Sequence, residues 1–135
     1  MSHEILQPPD WARPSGYSNG IAAEGRQVFV SGQIGWNEKQ QFESDDLAAQ
    51  VRQALTNVVD VLECAGAAPE HIVRLTWYVT SRDEYHASIK AIGAAYRKIM
   101  GRHFPAMSVV VVFSIIRDVD EQLDLVISRG DRDPL

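Results

Sequence analysis

Cysteine is almost absent from this chain, since Cys64 is the only one among 135 residues. A single cysteine excludes an intramolecular disulfide and is typical of proteins that work in a reducing compartment. Cys64 falls near the end of a predicted helix, and we expect it to be a small buried filler rather than a catalytic thiol. No apolar segment approaches membrane-spanning length, and the first residues lack the charged start and apolar stretch of a signal peptide. We therefore expect a soluble, cytoplasmic protein with no membrane partner.

Clustered positive charge is also lacking. The chain has 13 lysines and arginines against 18 aspartates and glutamates, which gives a formal net charge of −5, and the basic residues are scattered. Binding to the phosphates of nucleic acids requires clustered Lys and Arg. The composition therefore predicts no nucleic-acid partner.

Several catalytic signatures are missing as well. There is no glycine-rich phosphate loop, and Ser31 lacks the Gly-x-Ser-x-Gly context of a nucleophilic serine. His71, His86 and His103 have neither metal-ligand spacing nor cysteine partners. We expect no metal and no cofactor.

Length and composition predict one globular domain over residues 1–135. The chain is 45% hydrophobic and long enough to bury a sizeable core. Residues 1–16 are rich in turn-forming residues and are interpreted as a lead-in, and residues 129–135 as a polar tail. No internal repeat or linker interrupts the chain.

The first half of the chain predicts two strands and a helix. Residues 21–23 and 27–34 are expected to be strands joined by a hairpin turn at Glu24–Gly25. Ser44 or Asp45 is expected to cap the helix, and Gly66 to end it. Apolar residues three or four positions apart form its buried stripe: Leu47, Val51, Leu55, Val58 and Leu62.

The second half predicts a strand, a helix and two further strands. Residues 72–79 alternate in polarity as a strand does. A capping-box sequence at Ser81 begins a helix that ends at Gly101. Strands over 108–116 and 122–128 follow.

This element order, ββαβαββ, predicts an α+β fold with a mixed sheet and two helices on one face. The run Val109–Phe113 is apolar at every position, which is typical of a strand buried on both faces. One chain has no third layer to cover the second face. We therefore expect a neighbouring subunit to cover it and predict an oligomer.

Met107 stands at the mouth of that strand, directly after Phe104-Pro105-Ala106. Ligand-contacting side chains often occupy such positions. An arginine there would clamp a carboxylate with two parallel hydrogen bonds, whereas methionine offers a soft apolar surface. Met107 is therefore either a wall filler or a contact for an apolar ligand.

Four segments carry a resemblance to the RidA (YjgF) family: Gly16-Tyr17-Ser18, Val28–Ile34, Gln50–Asn57 and Phe104-Pro105-Ala106. The resemblance implies a chorismate-mutase-like fold. It also implies a homotrimer in which the sheets face the threefold axis, with ligand sites in the clefts between subunits. Well-understood members of the family hydrolyse imines and enamines to a keto acid and ammonia.

Carried over by position, the resemblance implies a site in this chain. Tyr17 matches the site tyrosine, and Ser31 and Gly32 match the strand segment that lines the cleft. Asp124 stands near a family glutamate thought to position water, with a solvated strand-edge carboxylate as the alternative. Met107 stands where deaminating members have the arginine that binds the substrate carboxylate, which places this chain in a subgroup without that arginine.

Three further features belong to this hypothesis. Trp36 is a candidate for the cleft mouth, with packing as the alternative, and Trp77 is interpreted as a packing or interface residue. Gly93 stands where some members have a site asparagine. Three other arginines are candidates to replace the missing anchor: Arg13, Arg102 and Arg117.

The sequence thus favours a hydrolase that acts on an imine or enamine without a simple carboxylate handle. Asp124 is its candidate catalytic residue. Its candidate substrate-binding residues are Tyr17, Ser31, Gly32, Trp36 and Met107. A non-catalytic small-ligand binder that uses the same cleft is the alternative. An endoribonuclease is disfavoured by the acidic charge and by the lack of a histidine acid/base pair.

Overall fold

The computed structural model describes residues 3–114 together with the backbone of residues 125–129. Its elements are β1 (His3–Leu6), β2 (Gly20–Ala23), β3 (Val30–Ile34), α1 (Leu47–Glu63), a 3-10 turn (Pro69–His71), β4 (Arg74–Val79), α2 (Arg82–Ala87), α3 (Ile89–Met100), β5 (Ala106–Val111) and β6 (Leu125–Arg129). This is an α+β fold, as predicted, with three helices where two were expected.

The lead-in is more ordered than predicted. β1 pairs antiparallel with β2 in a two-stranded sheet, with Ile5 opposite Ile21. The predicted pairing of the strands on either side of Glu24–Gly25 is therefore wrong, because β2 pairs with β1 whereas β3 pairs with β6. A side-chain hydrogen bond helps to close the loop between β1 and β2, since Asn19 Nδ2 donates to Gln7 Oε1 over 2.7 Å. Periodicity does not encode such a contact.

The second sheet is mixed, as predicted, and its strand order is β3-β6-β4-β5. β6 runs antiparallel to both of its neighbours, and β4 and β5 are parallel. Leu75 lies opposite Met107, and Trp77 lies opposite Val109. β3 and β5 therefore form the two edges of this sheet.

The core lies between this sheet and the helices. Leu75, Trp77 and Val79 alternate along β4 and are all buried. The predicted stripe of α1 is confirmed, because each of its members is at most 2% exposed: Leu47, Val51, Leu55, Val58 and Leu62. From α3, Ile92, Tyr96 and Met100 join the same cluster. Within the described residues, no helix is long and apolar enough to cross a bilayer.

The helix ends differ in detail from the prediction. Asp46, rather than Ser44 or Asp45, caps α1, because its carboxylate accepts a hydrogen bond from the Ala49 amide over 3.0 Å. Ser44 instead accepts from the Asp46 amide and supports the cap. Ser81 caps the second helical segment as predicted, but that segment divides into α2 and α3 at Ser88.

Two burial predictions are wrong for the single chain. Val109 and Val111, which share the sheet face of Trp77 and Val79, are 42% and 53% exposed because β5 is an edge strand. Val110 is 40% exposed on the opposite face, which one chain was expected to leave uncovered. Cys64 is exposed rather than buried. Cys64 lies two positions after Leu62, and each position rotates the side chain by about 100° around the helix axis. Cys64 therefore points away from the core-facing side of α1, where Leu62 lies.

Candidate functional site

A cavity of about 510 Å³, called here the first cavity, lies beside α3 and the start of β5. Its lining includes Tyr17, Trp77, Gly93, Tyr96, Arg97 and Met107. Three of these, Tyr17, Gly93 and Met107, are positions that the family resemblance pointed to. The fold brings them to one cavity although they come from a loop, a helix and a strand.

The segment around Tyr17 is tied to the start of β5. The Ser18 amide donates to the Pro105 carbonyl over 3.2 Å, and the Ser18 hydroxyl donates to the Phe104 carbonyl. Ser18 also forms a parallel bridge with Ala106. These bonds hold Tyr17 beside the strand that carries Met107.

Five aromatic residues are among the described residues that line the first cavity: Tyr17, Trp77, Tyr85, Tyr96 and Phe104. Tyr96 stacks on Phe104 with ring centroids 5.6 Å apart, and on Trp77 with centroids 6.4 Å apart. The Tyr96 hydroxyl donates to the His103 carbonyl over 2.5 Å, and burial raises its pKa above the ordinary value. Burial raises the pKa of Tyr85 in the same direction. Both hydroxyls therefore stay neutral near pH 7, as apolar walls with a polar tip.

Trp77 does more than the packing assigned to it from the sequence. It is 4% exposed, borders the first cavity, and its indole Nε1 is buried without a hydrogen-bond partner among the described residues. A buried donor without a partner costs about 1–3 kcal/mol. The indole ring thus borders the cavity while its N–H group lies out of reach of solvent. The parallel pairing of β4 with β5, which sequence patterns do not specify, is what puts Trp77 there.

Met107 is half-buried in the wall and packs against the core, in register with Leu75. The positive charge in this cavity does not come from position 107. Among the described residues that line the cavity, Arg97 carries it. Arg97 was not among the site residues predicted from the sequence. Its spacing of four residues from Gly93, which puts both on one face of α3, was the available signal.

The other candidate arginines do not line the first cavity. Arg13 and Arg102 line a neighbouring cavity, called here the second cavity, of about 780 Å³. Tyr17 and Phe104 border both cavities and form part of the wall between them. Arg117 lies outside the described residues.

Ser31 and Gly32 do not reach the first cavity within one chain. They lie on β3, three strand spacings from β5, which corresponds to about 14 Å. The pairing of β3 with β6 slips by one residue between Val30 and Gln33. This bulge leaves a Ser31–Gly32 segment with incomplete ladder pairing, and bulges of this kind are frequent next to active sites.

Trp36 also lies away from the first cavity. It follows β3, and its ring contacts Phe42 with centroids 5.8 Å apart. Asn57 on α1 donates to the carbonyls of Ile34 and Trp36, which fixes the chain as it leaves β3. Asp124 lies outside the described residues, and no aspartate, glutamate or histidine is found among the described residues that line the first cavity.

Comparison with known proteins gives a consistent result. The model of a family described as Endoribonuclease L-PSP matches residues 11–124. The 2-iminobutanoate/2-iminopropanoate deaminase of Escherichia coli (strain K12) is 33% identical over 105 residues, which are 78% of this chain and 81% of that protein. A Rid family protein of Yersinia pestis, YyfB, is 29% identical, with a TM-score of 0.79 over 96% of this chain and 97% of that one. The YjgF gene product of E. coli is 30% identical, with a TM-score of 0.63 over 86% and 88% of the two chains. The match over most of the sequence and the shared fold confirm the resemblance: the chain belongs to the Rid (YjgF) family.

Proposed function

We propose that this protein is a deaminase-like hydrolase of imines or enamines. Its substrate has no simple carboxylate group for position 107 to bind. The observation that carries the proposal is the convergence of Tyr17, Gly93 and Met107 on one aromatic-walled cavity. The name of the E. coli relative, an imine deaminase, supports the reaction class. Met107 in the cavity wall supports an apolar neighbour for the reacting carbon, because a thioether cannot compensate a negative charge.

The chemistry needs water and proton transfer, with no change of oxidation state. Water adds to the carbon of the C=N bond and gives a carbinolamine. The C–N bond then breaks as nitrogen takes up a proton, which leaves a carbonyl compound and ammonia. An enamine first takes a proton on carbon and becomes the imine. In this scheme Asp124 orients the water, and Tyr17 holds the substrate nitrogen or the water by a hydrogen bond.

We further propose that the working site lies between subunits of a homotrimer. Ser31 and Gly32 lie at the opposite sheet edge from Met107, so a second copy is needed to bring a Ser31–Gly32 segment to the first cavity. The exposure of Val110 on β5 supports the same assembly. Val110 pairs with Tyr78 and so lies on the sheet face away from Trp77 and the helices. A trimer with sheets facing the threefold axis would cover this face.

A non-catalytic binder is the second candidate. The observation that favours it is the lining of the first cavity, which offers no carboxylate or imidazole base among the described residues. In this alternative the aromatic cavity takes up a small ligand and Asp124 has no catalytic role. Saturable binding without turnover would be its signature.

The matching family is described as an endoribonuclease, but the charge of this chain disfavours that activity. The net charge of −5 argues against phosphate binding along a strand. A histidine pair does exist, since the His3 and His103 rings lie 5.8 Å apart. However, His103 Nε2 is engaged with the Ile72 carbonyl over 2.6 Å, so that nitrogen is not free for acid/base work. If protein free of contaminating nucleases cleaved RNA, and Asp124→Ala abolished that cleavage, the endoribonuclease activity would be supported instead.

Imine hydrolysis tests the proposal directly. Imines released from primary amines and from amino acids by an amine oxidase and an amino-acid oxidase are offered separately, and loss of the imine is followed. We expect faster loss of the neutral, apolar imine, and little of that activity in Asp124→Asn or Tyr17→Phe protein. Saturable binding of the amine-derived carbonyl product, with no acceleration of either imine, would favour the binder instead.

A further inference from the structure

The second cavity differs from the first in its charge. Arg13 and Arg102 both line it, together with His3 and His103. No aspartate or glutamate is found in its lining, as far as the structure describes the chain. In a protein with more acidic than basic residues, a cavity of about 780 Å³ with this composition attracts anions.

The two histidines have defined roles in this wall. His103 Nε2 lies 2.6 Å from the Ile72 carbonyl, and because a carbonyl only accepts, this nitrogen carries a proton. His3 Nδ1 is buried without a hydrogen-bond partner among the described residues. Because that atom is inaccessible to solvent, it lies behind the cavity wall, and the positive charge of the cavity comes from the two arginines.

The loop that carries Arg13 is held in place before any ligand binds. Gln7 Nε2 donates to the carbonyls of Trp11 and Ala12 over 3.2 and 3.3 Å. The Trp11 amide donates to the Pro8 carbonyl over 3.2 Å, which closes a turn. A fixed loop lowers the entropic cost of placing the Arg13 guanidinium opposite a ligand.

The aromatic residues of the second cavity narrow the ligand class. Trp11 is 62% exposed although it borders the cavity, and Tyr17 and Phe104 contribute further aromatic surface. Aromatic faces beside guanidinium groups suit a planar ring that bears an oxyanion. The volume lies within the range of small-molecule sites.

From these observations we propose that the second cavity is a binding site for a small aromatic oxyanion, held by Arg13 and Arg102 and stacked on Trp11. This site is distinct from the first cavity, and the proposal does not depend on imine hydrolysis. The shared chemistry of the ligand is a flat ring with a phosphate or carboxylate group.

The experiment uses three probes on the full-length protein: phenyl phosphate, benzoate and the neutral benzamide. The three tryptophans report position, because Trp11 borders the second cavity, Trp77 borders the first and Trp36 borders neither. Their indole N–H resonances are assigned with single Trp→Phe variants and followed during titration. We expect saturable shifts of the Trp11 resonance with one or both anionic probes and none with benzamide. Comparison of phenyl phosphate with benzoate then identifies which oxyanion is preferred.

Matched variants test the arginines. Arg13→Gln together with Arg102→Gln is expected to raise the dissociation constant of the preferred anion by about tenfold or more, since charge-assisted hydrogen bonds are lost. Arg82→Gln removes an exposed charge on α2, outside the lining of both cavities, and is expected to leave the constant unchanged.

Four results would overturn the proposal. They are no saturable shift with either anion, equal binding of benzamide, an equal loss in Arg82→Gln protein, and shifts confined to Trp77. The last would place the anion in the first cavity. None of these outcomes depends on whether the protein hydrolyses imines.

Discussion

The guanidinium nitrogen Nη1 of Arg97 lies 3.3 Å from the point that a Cβ on Gly93 would occupy. The two residues are one helical turn apart on α3, and both border the first cavity. The missing side chain at position 93 therefore leaves room for the guanidinium against the helix. The cation of this cavity thus lies on a helix, whereas the strand position 107 carries methionine.

Gly93→Ala is expected to stabilise the protein by about 0.5–1 kcal/mol, because glycine is a poor residue for a helix interior. The crowded atom is the far end of a flexible side chain, so it can move away at little cost. Urea unfolding measures the change, and Ala94→Gly on the same helix is expected to shift the free energy by a similar amount in the opposite direction. Destabilisation by Gly93→Ala would show that the Arg97 guanidinium cannot move away from the added methyl group.

Gly35→Ala is expected to have the opposite effect. A Cβ at position 35 would lie 2.6 Å from Gln50 Cβ and 2.9 Å from Gln50 Cα, so β3 and α1 would have to separate. Overpacking of this kind costs about 1–3 kcal/mol. Thermal or urea unfolding tests it, with Gly93→Ala as the control substitution at a site that can adjust. An unchanged stability would contradict the close approach of the two elements.

Stability is expected to fall at high pH because of Tyr96. Its hydroxyl is buried, and burial raises its pKa above the ordinary value of about 10. Above that pH the unfolded chain loses the proton while the folded chain keeps it, so the folded state binds more protons. The free energy of unfolding then falls with pH, by up to about 1.4 kcal/mol per pH unit for one group.

Urea unfolding of wild type and Tyr96→Phe, between about pH 9 and 11, measures this slope. The variant is expected to lose about 1 kcal/mol at neutral pH, because the hydrogen bond to the His103 carbonyl is removed, but to show a shallower fall above pH 10. Burial raises the pKa of Tyr85 too, so part of the slope remains. Equal slopes in the two proteins would show that Tyr96 does not carry the effect.

The proposed trimer gives a prediction for Val110. This side chain is 40% exposed in one chain, and the proposed trimer would bury its sheet face. Val110→Asp is expected to dissociate the assembly, because an unpaired charge would be buried. Val61 on α1 is also 40% exposed and serves as the control, since Val61→Asp is expected to leave the mass unchanged. Light scattering coupled to size exclusion gives the masses, and equal behaviour of the two variants would contradict the trimer face.

The sequence predicted the local elements well where one periodicity dominates. The stripe of α1, the strand over β4 and the cap at Ser81 needed only spacing and capping rules. The pairing of β1 with β2 was missed because a single side-chain hydrogen bond, between Asn19 and Gln7 twelve positions apart, helps to close that loop. The burial expected on the helix side of β5 was wrong for Val109 and Val111, because position at a sheet edge is a property of topology.

The same division applies to the site. Tyr17, Gly93 and Met107 were found through the family resemblance, and they share a cavity. Trp77 and Arg97 were missed as lining residues because their approach depends on strand register and helix rotation. Ser31 and Gly32 lie away from that cavity in one chain. Their role in the site, like that of Asp124, stays a prediction.

The most direct test of the role of Met107 uses 2-imino acids that an oxidase releases from amino acids. Their hydrolysis is measured with wild type, Met107→Arg and Met107→Leu. Wild type and Met107→Leu are expected to be slow, and Met107→Arg is expected to be faster by about tenfold to a hundredfold, because the arginine adds a charge-assisted clamp for the carboxylate. Fast hydrolysis by wild type that is lost in Arg97→Gln would contradict a substrate without a carboxylate and would make Arg97 the anchor of an acidic substrate.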